Sequence, residues 1–156
     1  IIPPSESGLP LDVFYFVSTM TPMVNVDLLI QKNHKTEQKT LLVWRQDEFY
    51  QGWHIPGGII RFKENLINRI HYVARHELGA SVAKVSPLLE MTEKIHDSRR
   101  IRGHFISLLF PVELVGQNDL FEDFSTKSNA IPGECRWHGE PPNNLIPQHE
   151  IYKKFF

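Results

Sequence analysis

The chain predicts an α/β (α+β) domain, an α/β/α sandwich around a mixed central sheet. Strand-like segments precede, surround and follow one strong amphipathic helix at Glu64–Leu78, and a second helix is expected at the end, Pro147–Phe156. A sheet with two apolar faces is buried most economically when helices cover both of them.

Ile1–Pro10 holds Pro3, Pro4, Gly8 and Pro10 and reads as an irregular leader. The apolar run in Leu11–Met20 fits a first strand or a short helix, which periodicity does not separate. Val24–Gln31 alternates and is rich in branched residues, so it reads as a strand, with Asp27 an acidic interruption. Lys32–Lys39 is polar and turn-like, and Thr40–Arg45 returns as a second strand, completing an expected hairpin. Gln46–Gln51 is a loop leading to a Pro56-Gly57-Gly58 turn. In Glu64–Leu78 the apolar residues Leu66, Ile67, Ile70, Val73 and Ala74 recur at spacings of three and four, and Gly79 stands where a left-handed cap belongs. Val82–Ile95 and Gly103–Val115 are strand-like, with a polar functional or mobile loop at Gln117–Pro132. Cys135-Arg136-Trp137 reads as a short last strand, and the proline near the start of Pro147–Phe156 suits a helix N-terminus. Trp53 and Trp137 are expected in the core. Neither an internal repeat nor a linker divides residues 1–156, so a single domain is expected.

Bulk properties narrow the function classes. A chain of 156 residues can bury a core without staples. With 17 Lys+Arg against 18 Asp+Glu it lacks the basic excess of a nucleic-acid binder. No apolar run reaches the roughly 20 residues that span a bilayer, and no basic-then-apolar signal opens the sequence. Neither a nucleic-acid nor a membrane partner is therefore expected. The single cysteine, Cys135, excludes an intramolecular disulfide and a multi-cysteine zinc site, and fits a reducing cytoplasm.

The stretch Trp53–Ala80 carries the chemistry. Gly58 and Glu64 are six apart, and Glu77 and Gly79 follow at nineteen and twenty-one. These spacings resemble the Nudix box, G-x5-E-x7-R-E-U-x-E-E-x-G-U. Its arginine falls on Tyr72, the next glutamate on Val73, and the first of its glutamate pair on His76. Helix positions three and four apart share a face, and oxygen ligands there suit Mg2+. On this chain the face keeps one carboxylate, Glu77.

Flanking segments resemble one branch of the family, the GDP-mannose mannosyl hydrolases. They are 18–24 through Asp27, Leu41-Leu42 through Arg45, Gln51-Gly52-Trp53, His96-Asp97, His104–Phe110 and Arg136-Trp137. The resemblance implies a Nudix-type fold and a Mg2+-dependent (Mn2+ as alternative) hydrolysis of a nucleotide sugar or other nucleoside diphosphate compound, with water attacking the sugar carbon in that branch. It implies metal binding by the Gly58 carbonyl and Glu77, diphosphate support by Arg45, a role for Asp27 at the sugar end, and a homodimer. Glu64 stands between metal binding and favouring the helix N-terminus by the dipole. His76 reads as a helix-surface residue rather than a ligand.

The branch carries a Gln-His pair, ligand and base, shortly before its Arg-Trp. Asn129–Glu134 has neither. An assisting tyrosine falls on Phe105, and two substrate-side arginines fall on Ile59 and Tyr72. His96, His104 and Glu134 are the candidate replacement bases. Arg99-Arg100-Ile101-Arg102 reads as a solvated turn or, less directly, a phosphate site. A Nudix fold that binds a nucleotide or protein partner without turnover is the rival expectation, favoured by Tyr72, Val73, Ile131 and Pro132.

Overall fold

A computed structural model describes residues 8–34, 36–125 and 129–156. Residues 1–7 of the expected leader, residue 35 in the expected turn, and 126–128 of the polar loop lie outside the described residues. Helix α1 (Leu11–Ser18) settles the first apolar run as a helix. Strands β1 (Met23–Leu29), β2 (Gln31–His34), β3 (Glu37–Gln46), β4 (Gln51–His54) and β5 (Gly57–Ile59) follow, then helix α2 (Leu66–Leu78). Strands β6 (Val82–Val85), β7 (Glu90–Ile95) and β8 (His104–Leu114), a single turn α3 (Gln117–Leu120), and β9 (Cys135–His138) lead to a terminal 3₁₀ segment, Pro147–Phe155.

A five-stranded mixed sheet has β1 between β5 and β8, and β8 pairs with both β6 and β7; β1–β8 is its parallel pair. A four-stranded antiparallel sheet places β3 among β2, β4 and β9. The sheets meet where Leu41 N–H donates to Ile30 O at 2.9 Å.

Alternation along the strands fills two cores. Val26 and Leu28 of β1, Leu41 and Val43 of β3, and Phe110, Val112 and Leu114 of β8 join Ile70, Val73, Ala74 and Leu78 of α2. Their neighbours Leu29, Leu42 and Leu109 turn the other way and join Trp53, Ile55, Leu145 and Tyr152. The period of two thus puts α2 on one face and the terminal segment on the other. Trp53 and Trp137 are both core residues.

Several sequence expectations change. The hairpin joins β2 to β3, pairing His34 with Glu37, so much of the expected turn is strand. Polar side chains on this pair concealed it. The Pro56-Gly57-Gly58 segment is not a turn: Gly57 and Gly58 pair with Asp27 and Val26 in an antiparallel ladder. Their glycines serve close approach, since a Cβ on Gly57 would collide with Asp27 Oδ1, and one on Gly58 would lie 2.8 Å from Val73 Cγ2.

Helix α2 begins two residues later than expected, because Asn65 is extended and caps it by accepting from Asn68 N–H at 2.8 Å. Leu66 and Ile67 are exposed, and the buried stripe runs through Ile70, Val73, Ala74 and Leu78. Gly79 adopts the left-handed cap at φ 62°. Val82–Ile95 divides into β6 and β7. The terminal element is wound as 3₁₀ rather than α. Among the described residues no helix is long and apolar enough to cross a membrane.

Gly57→Ala is expected to cost about 1–3 kcal/mol, because the collision is with a packed strand. Gly79→Ala meets no atom and should cost only the left-handed backbone penalty of about 1–2 kcal/mol. Urea unfolding of both variants checks the difference.

His138 is buried between Trp53 and Phe124, and burial pushes its pKa down to about 4. From about pH 6.5 down to about 4 the unfolded chain binds a proton there that the native chain refuses, so stability falls with pH. His138→Phe should make the urea midpoint less sensitive to pH across that window.

Candidate functional site

Alternation along three neighbouring strands builds a polar floor. Asn25 and Asp27 of β1, Phe105 and Ser107 of β8, and Lys94 of β7 all line one cleft of about 580 Å³. The parallel register sets Asn25 beside Ser107, and the antiparallel register sets Lys94 beside Phe105.

Asp27 is 2% exposed, so its carboxylate needs partners. Oδ1 accepts from Asn25 Nδ2 at 2.7 Å, and Oδ2 accepts from Tyr152 Oη at 2.6 Å. Lys94 Nζ lies 3.8 Å from Oδ2 and 4.7 Å from the Tyr152 ring centroid. Burial pushes the Asp27 pKa up, with Lys94, Tyr152 and Asn25 opposing it, and burial pushes Lys94 down. Ser107 Oγ donates to Asn25 Oδ1 at 3.0 Å, which fixes the amide that donates to Asp27.

Another wall is cationic. Arg45 and Arg102 line the cleft. Arg45 donates to Asp47 Oδ2 at 2.5 Å and stacks over Tyr50 at 4.8 Å. Arg102 stacks over Phe49 at 4.6 Å, and its buried Nε has no hydrogen-bond partner among the described residues. Burial, then the like charge of Arg45, lowers the Arg102 pKa. Its backbone is held at φ 51° and its N–H donates to Ser18 Oγ at 3.0 Å. Two guanidiniums sharing one cleft, with one local carboxylate at Asp47, leave room for an anionic ligand.

Glu77 of α2 and His54 of β4 also line the cleft. Glu77 Oε2 is buried, has no hydrogen-bond partner among the described residues, and lies 3.7 Å from His54 Nε2. His149 is buried, and its Nδ1 accepts from Ile55 N–H at 2.9 Å. Desolvation pushes its pKa well below the ordinary histidine value.

The cleft therefore gathers Asp27, Arg45, Gly58 and Glu77 of the sequence candidates. It does not gather Glu64, His96 or His104. Glu64, just ahead of α2, accepts through Oε2 from Arg61 N–H at 3.0 Å and from Nε of the buried helix residue Arg69 at 2.7 Å. His104 Nε2 pairs with Glu93 Oε1 at 2.9 Å, and His96 reaches the lining residue Gln148 at 3.2 Å. Glu134 is held by Ile131 N–H and Arg136, which keep its carboxyl below the ordinary range. His76 lines the cleft but stacks on Tyr72 at 3.7 Å. Ile60 N–H bonds Val24 O, and Leu28 N–H bonds Pro56 O. Ladder alternation then turns the Gly58 carbonyl toward β1 and the Gly57 carbonyl away from it.

Comparison with solved structures decides the fold. The MutT NUDIX hydrolase of Burkholderia pseudomallei aligns over 86% of this chain and 97% of its own, with TM-score 0.63 and 17% identity. The chain has the Nudix fold. The NUDIX domain of Shewanella oneidensis NrtR, complexed with ADP ribose, aligns over 85% and 79% at TM-score 0.54 and 16% identity. A UDP-X diphosphatase aligns over 86% and 59% at TM-score 0.59 and 19% identity. No protein-family model and no curated protein matches the chain in sequence.

A divalent cation is implied for a Nudix hydrolase. The residues present fit one: an orphaned, buried carboxylate oxygen facing an imidazole is a natural place for positive charge. Among the described residues no group of three or more His, Cys, Asp or Glu converges, so Glu77 with His54 is a two-ligand cradle at most.

Nothing local in the sequence marks Lys94, His54, His149 or Tyr152 as site residues, whereas Arg102 belongs to the cluster read as a turn or a phosphate site. Strand register, which no local pattern encodes, brings Lys94 to Asp27, and Tyr152 arrives from 125 residues away. Only the arginine cluster carried a prior signal. Tyr152→Phe removes the donor to Asp27 Oδ2 and should destabilise the fold by about 1–3 kcal/mol. Carbon-13 NMR titration should show the Asp27 carboxyl, already raised, moving further up.

Proposed function

We propose that this chain is a divalent-metal-dependent hydrolase of nucleoside diphosphates linked to another group, with nucleotide sugars the leading class. One observation carries the reading: Glu77, Arg45 and Arg102 line the same cleft, over a floor of hydroxyl-binding groups. A diphosphate carries the charge that two guanidiniums would engage. Asn25, Asp27 and Ser107 supply donors and acceptors suited to sugar hydroxyls. The neighbours bound to ADP ribose, or named for UDP-X, support this class.

Glu77, with the outward-facing Gly57 carbonyl in place of the Gly58 carbonyl expected from sequence, would hold Mg2+ or Mn2+. The cation supplies charge neutralisation at the diphosphate when bound. Arg45 and Arg102 hold the phosphates. Asp27, fixed by Asn25, Tyr152 and Lys94, orients the group at the other end. His96 acts through Gln148 at the cleft margin, while His104 belongs to the sheet surface. A homodimer and a cytoplasmic setting belong to the same proposal. Exposed Leu88, Leu89, Met91 and Ile95 supply an apolar surface for the dimer, which sedimentation checks.

The rival reading, a binding module, draws on Val73 being buried and His76 being stacked on Tyr72, which leave one carboxylate on the box face. Incubation with nucleotide sugars and dinucleoside polyphosphates in Mg2+ or Mn2+, in 18O water, separates the two. Turnover is expected, with label in the sugar for carbon attack and in phosphate for phosphorus attack. Glu77→Gln should slow it about 100-fold or more, and Arg102→Met should weaken substrate binding about 10- to 100-fold. Calorimetric binding without turnover on any compound would establish the module instead.

A further inference from the structure

We infer that His54 and Glu77 form a mixed imidazole–carboxylate site for a transition-metal dication, Mn2+, Fe2+, Co2+ or Zn2+, in preference to Mg2+. This rests on the proposed reading of Glu77 as the metal-holding carboxylate and adds a nitrogen ligand to it.

His54 is held as a ligand would be. Its Nδ1 lies 2.8 Å from Val43 O, and a nitrogen facing a carbonyl must carry the hydrogen. In the neutral ring the lone pair is then on Nε2, toward Glu77. Metal-bound histidines commonly anchor their second nitrogen on a backbone carbonyl in this way. The anchor is rigid, because Val43 and His54 are register partners in β3 and β4, and Val43 is also paired with Cys135 of β9.

Glu77 supplies the complementary half. Its Oε2 is buried without a hydrogen-bond partner and lies 3.7 Å from His54 Nε2. A hydrogen bond does not span that gap. Two metal–ligand bonds of roughly 2.0–2.2 Å do, at an angle of roughly 115–135°. Adjacent ligands of an octahedral Mg2+ would stand closer, about 3.0 Å apart. The imidazole donor favours the first-row dications over Mg2+, and the wide angle favours those among them that tolerate four or five ligands, Zn2+ and Co2+, above octahedral Mn2+. With two protein side chains as ligands, the remaining positions fall to backbone carbonyl, water and phosphate oxygens, which leaves the site open to substrate.

The test uses the full chain without nucleotide. Titration calorimetry with MnCl2, ZnCl2 and MgCl2 should show Mn2+ and Zn2+ binding at least about tenfold tighter than Mg2+. Pulsed electron paramagnetic resonance of the Mn2+-loaded protein should show a nitrogen hyperfine coupling that changes when histidine is 15N-labelled. His54→Phe and, more conservatively, His54→Gln should abolish the coupling and the preference, with circular dichroism checking that each folds. Manganese bound without nitrogen coupling, and lost in Glu77→Gln, would overturn the His54 inference while leaving Glu77 as a metal carboxylate. No binding of any of the three cations, in wild type or variants, would overturn both.

Discussion

A carboxylate buried in the middle of a strand constrains much of the rest of the structure. Val26 and Leu28 face helix α2, so the period of two sends Asp27 into the opposite core beside Leu109 and Tyr152. An unpartnered charge there would cost several kcal/mol, and the fold answers with Asn25, Tyr152 and Lys94 around one side chain. The same carboxylate leaves no space on the neighbouring strand, which accounts for glycine at position 57. It also draws in the end of the chain: Tyr152 is brought to Asp27 from the terminal 3₁₀ segment, and His149 of that segment bonds Ile55 N–H. Floor, β5 and terminal segment are thus one arrangement.

Upon that floor the cleft is electrically divided. The Glu77 carboxylate lines one wall, and Arg45 and Arg102 line another. Neither set is fully neutralised internally: Glu77 Oε2 and Arg102 Nε are both buried and unpartnered among the described residues. Six other buried side-chain atoms among the described residues also lack hydrogen-bond partners, Trp137 Nε1 and His138 Nε2 in the core among them, so these two stand out by carrying opposite charges into one cleft. Opposite signs also ask for different ligands, a cation at one wall and an anion at another. A metal-bound diphosphate compound satisfies both at once, which neither a bare cation nor a neutral sugar would do.

What the sequence revealed, and what it hid, follows from how far each interaction reaches. The α2 stripe, its Gly79 cap, strand β8 and the burial of Trp53 and Trp137 were all legible, because each depends on local pattern. The sense of the Gly57-Gly58 pair was not. Two glycines after a proline look like a turn, and only the close approach of Asp27 and Val73 makes them a strand. The β2 strand hid behind polar residues at the edge of its sheet. Within the cleft, Asp27, Arg45, Gly58 and Glu77 were recognisable by resemblance, whereas Lys94 and Tyr152 depend on register and on chain return. His96 and His104 are candidates by residue type alone, whereas His54 and His149 reach the cleft by position.

The altered box then has a physical interpretation. Where the Nudix box has carboxylates this chain holds Val73 and His76, and each has a structural place of its own. Val73 packs in the α2 core against the space that Gly58 leaves open, and His76 stacks on Tyr72 while its Nδ1 meets the Tyr72 carbonyl at 2.9 Å. A carboxylate at 73 would have to be buried in that apolar contact, where desolvation opposes it. The one acid on that helix face, Glu77, is the one whose buried oxygen faces a fixed imidazole from a different element. On the proposed site, ligands drawn from β4 and α2 avoid the cost of crowding several carboxylates on one helical turn. The site would then owe its geometry to strand register rather than to helical spacing.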